Sequence, residues 1–154
     1  MVSPNQEIQT KETSPLYRQD YCLWLDQTIE KLKNKELEKV DIDHLIEDLE
    51  LMGGSERRAL ESNLVVVLLH LLKYKYQPEK RSRSWLSSIF EHRRRIRKAF
   101  KNSPSLKRHF SEELTECYQD SRKLAAIETG LAIDTFPIAC PFAEQEVLDE
   151  EFLP

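Results

Sequence analysis

The chain has 154 residues, 40% hydrophobic and 32% charged, with a formal net charge of −4. That length is enough to bury roughly 70% of the unfolded surface in one domain, and the composition excludes global disorder. With only three glycines and no Asn-Gly or Asp-Gly pair, the chain lacks the punctuation of a sheet, so an all-α fold is expected.

Residues 1–15 are polar, without an apolar signal core, and read as a disordered N-terminal arm. A first helix is expected from about Leu16 to Lys33, because Tyr17, Tyr21, Trp24, Leu25, Ile29 and Leu32 recur at three- and four-residue steps. Asn34 can end it. Asp41 can cap a second helix with the apolar face Ile42, Leu45, Ile46, Leu49 and Met52. Gly53-Gly54 is expected to terminate that helix, since glycine reaches the left-handed C-cap conformation without steric cost. Ser55 would cap a third helix over about 56–77, apolar almost all round from Leu64 to Leu72 and therefore central. Its longest apolar run is far short of the about 20 residues of a membrane span.

Pro78 stops the third helix. A fourth helix over about 84–101 places Trp85, Leu86, Ile89, Phe90, Ile96 and Phe100 toward the core and Arg94, Arg95 and Lys98 outward. Ser103 with Pro104 opens a fifth helix, striped by Leu106, Phe110, Leu114, Cys117, Tyr118, Leu124 and Ala125 and ended by Gly130. Residues 130–154 are proline-rich and acidic. They read as an extended strap across the bundle, with one helical turn near 144–148. The expected architecture is thus a single-domain bundle of about five helices over residues 16–154.

Charge is segregated along this chain. From Lys73 to Arg108 there are thirteen Lys or Arg against Glu79 and Glu91, whereas residues 112–154 hold eleven acids against Arg122 and Lys123. The basic segment must face something negative. An internal or homodimeric match comes first. An acidic protein partner comes next, with Arg81, Arg83, Arg93, Arg94, Arg95 and Lys98 as the binding residues. Interleaved aromatics keep nucleic acid as a less favoured partner. No membrane partner is expected.

Two polar stripes are the other candidates for chemistry. Glu56, Asn63, His70 and Gln77 are spaced by seven and share one side of the third helix, with Lys73 one turn from His70. Asp43, Glu47 and Glu50 line the second helix. An acid–base site between those two helices would use Glu47, Glu50, Glu61 and His70. Polar stripes on bundle helices are usually solvated, however. Di-metal bundles use paired Glu-x-x-His motifs, and none occurs here, so neither metal nor cofactor is expected. The three cysteines, Cys22, Cys117 and Cys140, are odd in number and widely spaced. They argue against a disulfide framework and for a reducing, cytoplasmic setting, with Cys22 and Cys117 as small core residues.

The blocks Asp20-Tyr-x-x-Trp24, His44-Leu-Ile-Glu-Asp-Leu-Glu50, Gly54-Ser-Glu-Arg-Arg-Ala-Leu-Glu-Ser62, Glu91-His-Arg-Arg-Arg-Ile96, Phe136-Pro-x-x-Cys-Pro141 and Leu148-Asp-Glu-x-Phe-Leu-Pro154 are carried by long, specific stretches. They resemble a bacterial family catalogued as domain of unknown function number twenty-nine, over about residues 16–154. The resemblance implies a compact all-helical protein. It implies no activity, cofactor or catalytic residue. The reading that follows is a non-enzymatic cytoplasmic interaction module. An enzyme or metal-binding bundle and a nucleic-acid binder are the alternatives.

Overall fold

The computed structural model describes residues 15–154. The arm expected over residues 1–15 lies, but for residue 15, outside the described residues. The described chain is helical: α1 (Pro15–Gln19), α2 (Tyr21–Lys33), α3 (Ile42–Tyr76), α4 (Arg83–Asn102), α5 (Leu106–Thr129) and α6 (Glu144–Leu148), with single turns of 3-10 helix between some of them. Residues 16–154 read as one domain in the sequence. Backbone contacts group the chain into two compact units, one ending at Met52 and the other beginning at Gly53.

The first unit is a short α1, a tight break at Asp20, then α2, a loop, and the first turns of α3. Asp20 makes the break because its carboxylate accepts from the Leu23 amide (3.0 Å) and so caps α2. Asn34 ends α2, followed by Lys35 in the left-handed region (φ 59°). Asp41 caps α3 by accepting from the His44 amide at 3.3 Å. The interior of this unit is polar and aromatic rather than aliphatic. Asp48 is buried and accepts from both the Tyr17 hydroxyl (2.8 Å) and the Tyr21 hydroxyl (2.5 Å). His44 is buried too, with Nδ1 2.6 Å from Asp41 Oδ2 and its ring stacked on Tyr17 at 4.0 Å between centroids. Trp24 packs edge-on against both rings.

That arrangement inverts the expected face. Ile42, Ile46, Leu49 and Met52 point to solvent, Leu49 at 58% exposure and Met52 at 66%. Tyr21, Ile29 and Leu32 of α2 are also exposed, and so is Cys22, expected as a core residue. Once two phenols and an imidazole close on Asp48 and Asp41, the polar side of α3 becomes the inner side.

Gly53-Gly54 does not end a helix, and Ser55 caps nothing: the expected second and third helices are the single α3. Both glycines keep helical, negative φ. Each costs only about 1 kcal/mol relative to alanine in a helix interior, too little to break an element bounded on both sides by good helix formers. A Cβ at Gly53 would meet nothing within 4 Å.

The second unit contains the aliphatic core. Leu60, Leu64, Val67, Leu68, Leu71 and Leu72 of α3 are buried against Ile89, Ile96 and Phe100 of α4 and Leu106, Phe110, Cys117, Tyr118 and Ala125 of α5. The Ser121 hydroxyl, fully buried, joins two helices by reaching the Val65 carbonyl (3.0 Å) and the Cys117 carbonyl (2.7 Å). The fifth expected helix starts two residues late: Ser103 and Pro104 form a turn, and Ser105 is the N-cap. Gly130 ends α5 with φ 71°, as glycine at a left-handed cap should.

The tail is docked as the expected strap. Phe136, Phe142 and Val147 enter the core. The Arg122 guanidinium donates to the Phe136 carbonyl (2.9 Å) and Gln119 to the Ile138 carbonyl (2.8 Å). The far end is held by Arg93 of α4, which is 2% exposed. Its Nε donates to the Val147 carbonyl (2.8 Å), Nη1 to Phe152 (2.9 Å) and Nη2 to Glu146 (2.9 Å). Burial lowers the guanidinium's pKa, with Asp149 and Glu150 opposing that effect.

Two substitutions check these assignments. Gly53→Ala should stabilise the protein by about 0.5–1 kcal/mol in urea unfolding, because helical backbone accepts alanine at lower entropic cost; a loss of stability would mean a left-handed cap at this position. Arg93→Ala strands three carbonyls, each worth about 1–3 kcal/mol when buried unpaired. It should cost at least about 3 kcal/mol and deprotect amides 144–152 in hydrogen exchange, while a wild-type exchange pattern would rule the clamp out.

Candidate interaction surface

The flank of α4 beside its core stripe is built by helix geometry. Ile89, Arg93, Ile96 and Phe100 are spaced 4-3-4 and form the buried side. Arg83, Leu86, Phe90, Arg94 and Lys101 follow at 3-4-4-7 on the other, with Lys98 beside them. The sequence reading placed Leu86 and Phe90 in the core. Both face solvent, Leu86 at 39% exposure and Phe90 at 59%, because Arg93 occupies the inward position of that turn. The signal was present in the spacing, which groups Phe90 with Arg94 rather than with Ile89.

Phe90 and Leu86 border a small cleft of about 80 Å³, closed by Ile89, Arg93, Glu150 and Leu153. The basic residues of α4 outside this cleft are unequally engaged. The Arg94 guanidinium grips Glu91 with two bonds (3.0 and 2.8 Å), and Arg95 adds a third at 3.1 Å. These donors hold the Glu91 carboxyl at about 2. Arg97 pairs with Glu150 of the tail. Arg83 and Lys98 are exposed and form no ion pair among the described residues. Arg81 is exposed and lies over the Tyr74 ring (4.2 Å), donating to the Tyr74 carbonyl (2.8 Å) and to that of Pro154 (3.3 Å).

The six basic candidates therefore separate. Arg83, Arg94, Arg95 and Lys98 are exposed along α4. Arg81 is engaged at the start of the segment. Arg93 is not a surface residue at all: it faces the core, where the tail's carbonyls replace the partner expected for it.

The acid–base candidates are divided differently. Glu47 and Glu50 are exposed side chains of the first unit. Glu61 and His70 belong to the second, nine positions apart on α3, roughly 14 Å along the axis at 1.5 Å per residue. The cleft expected between two helices lacks its two helices, since both segments are one. Glu61 meets His109 (2.8 Å to Nε2), a pairing that no spacing announced because α5 supplies it. Nδ1 of His70 donates to the Val66 carbonyl (2.8 Å), and the Asn63 amide turns onto the Ala59 carbonyl (2.9 Å). Asn63 and His70 of the stripe at seven-residue steps are thus satisfied by their own helix. Lys73 spans from Glu128 (2.8 Å) to the face of Trp85 (4.7 Å). Cys117 is buried, and its thiol is pushed up to about 12 by burial and then by Glu61, Glu113, Asp120 and Glu116, which disfavours the thiolate. Among the described residues, no three His, Cys, Asp or Glu stand together as a metal site. No described helix is long and apolar enough to cross a membrane.

Burial lowers the His70 pKa from its ordinary 6.5, and the Lys73 and His92 charges lower it further against the Val66 hydrogen bond and Glu128. The fold therefore favours neutral His70. Its contribution is present above about pH 6.5 and is lost as pH falls toward the lowered pKa, since the unfolded chain protonates first. Melting temperature should fall less steeply from about pH 7.5 to 5.5 in His70→Gln than in the wild type; equal slopes would remove His70 from the pH response.

A family model described as domain of unknown function DUF29 matches residues 16–153. No curated protein and no solved structure matches the chain.

Proposed function

We propose that this chain, which belongs to the DUF29 family, is a non-enzymatic protein-interaction module of the cytoplasm. Its binding face is the outer side of α4. The partner it suits is an acidic, apolar protein segment. The observation that carries this reading is Phe90, a large aromatic at 59% exposure, set beside a cleft on a helix whose exposed residues include Arg83, Arg94, Arg95 and Lys98. An aromatic anchor with arginines around it is the composition of an interface hot spot. Glu91 and Glu150 already neutralise part of the helix's charge, which suits a partner with a few carboxylates better than a continuous phosphate backbone. Three cysteines without a disulfide among them agree with a reducing compartment.

The test is a photoreactive phenylalanine analogue at position 90, cross-linked in the native host and read by mass spectrometry of the joined peptides. We expect a protein segment rich in Asp and Glu beside apolar residues. Arg83→Glu with Lys98→Glu should abolish the cross-link at unchanged melting temperature, because neither side chain holds a partner within the described residues. Cross-links to nucleic acid, or to nothing, would overturn the reading.

A further inference from the structure

The first unit leaves an apolar face uncovered. Ten of the seventeen large apolar side chains that face solvent among the described residues lie between Tyr21 and Met52, whereas Trp24 and Val40 are the two apolar side chains buried there. On α3 the exposed set is Ile42, Ile46, Leu49 and Met52, with half-buried Leu45 completing a 3-4 seam of the kind that packs against another helix. Asp43, Glu47 and Glu50 flank this stripe, and residues 16–52 as a whole hold ten acids against five bases. It is an acidic, apolar helix face.

We infer that the occupant of the α4 face is this same face on a second copy of the chain. The inference rests on the proposed function of α4 and names its partner. The two surfaces match in kind: apolar residues flanked by exposed Glu47 and Glu50 on one, and Phe90 and Leu86 on a helix with exposed Arg83, Arg94 and Lys98 on the other. Charge decides between the ways two copies can meet. Acidic face on acidic face would set Asp43, Glu47 and Glu50 against their own copies, and two α4 faces would oppose their arginines. Acidic on basic is the attractive combination, and like charges across an interface are strongly penalised. Two such contacts made reciprocally close a dimer; one made head-to-tail extends a chain of copies.

Sedimentation velocity of the full chain over a concentration series tests this. The expected result is concentration-dependent self-association that weakens from about 50 to 300 mM salt, as screening requires. Glu47→Lys with Glu50→Lys should weaken it roughly tenfold or more, and so should Arg83→Glu with Lys98→Glu. All four side chains are exposed, so the melting temperature should hold in each variant. The fourfold variant, which restores opposite signs with the faces exchanged, should recover association. A monomer at every concentration would overturn the inference, as would association indifferent to both reversals or no recovery in the fourfold variant. If position 90 instead cross-links to a segment of a different protein, the α4 reading stands and the second copy is wrong. If it cross-links to no protein, both fall.

Discussion

The second unit is organised around one buried cation. Arg93 sits on the core side of α4 between Ile89 and Ile96, where an aliphatic residue would be the ordinary choice. Its three donors meet the carbonyls of Glu146, Val147 and Phe152. Taking a guanidinium out of water is costly unless its donors are met. Backbone carbonyls are suitable partners because they need donors themselves when buried. The tail contributes α6, Phe142 and Val147 to the core, so fixing its path also fixes the packing beneath it. Lysine could not replace this residue, since a compact ammonium does not span three acceptors in a fixed fork.

Arg93 also determines what α4 presents outward. With the inward position of its turn filled, Phe90 and Leu86 face solvent among Arg83, Arg94 and Lys98. The face proposed for binding is in that sense a consequence of the clamp. The acidic tail answers part of the basic segment through Arg97 and Glu150.

The first unit makes the opposite trade. Its interior holds Asp48 between two phenols and His44 against Asp41, while its aliphatic residues lie outside. Buried polar networks are tolerated when every member is satisfied, and among the described residues no buried side-chain nitrogen or oxygen is left without a partner. Among the described residues of its own unit nothing covers the aliphatic face, which is the constraint that the proposed association of copies would relieve.

The sequence by itself determined the helical class, the central apolar stretch from Leu64 to Leu72, the Asn34 and Gly130 stops, and the segregation of charge into a basic segment and an acidic tail. These follow from periodicity, glycine conformation and charge, all of which act over a few residues or over whole segments. It could not decide Gly53-Gly54, because the balance between a cap and a helix interior there is about 1 kcal/mol per residue and the outcome depends on what anchors the flanks. Nor could it decide which side of residues 42–52 faces inward. Amphipathicity names two faces, but Tyr17 of α1 and Tyr21 of α2 reach Asp48, and those contacts chose the polar one. Arg93 and Phe90 exchanged their expected places for the same reason: a carbonyl cluster more than fifty residues away, visible only in the folded chain, made the inner position right for a cation.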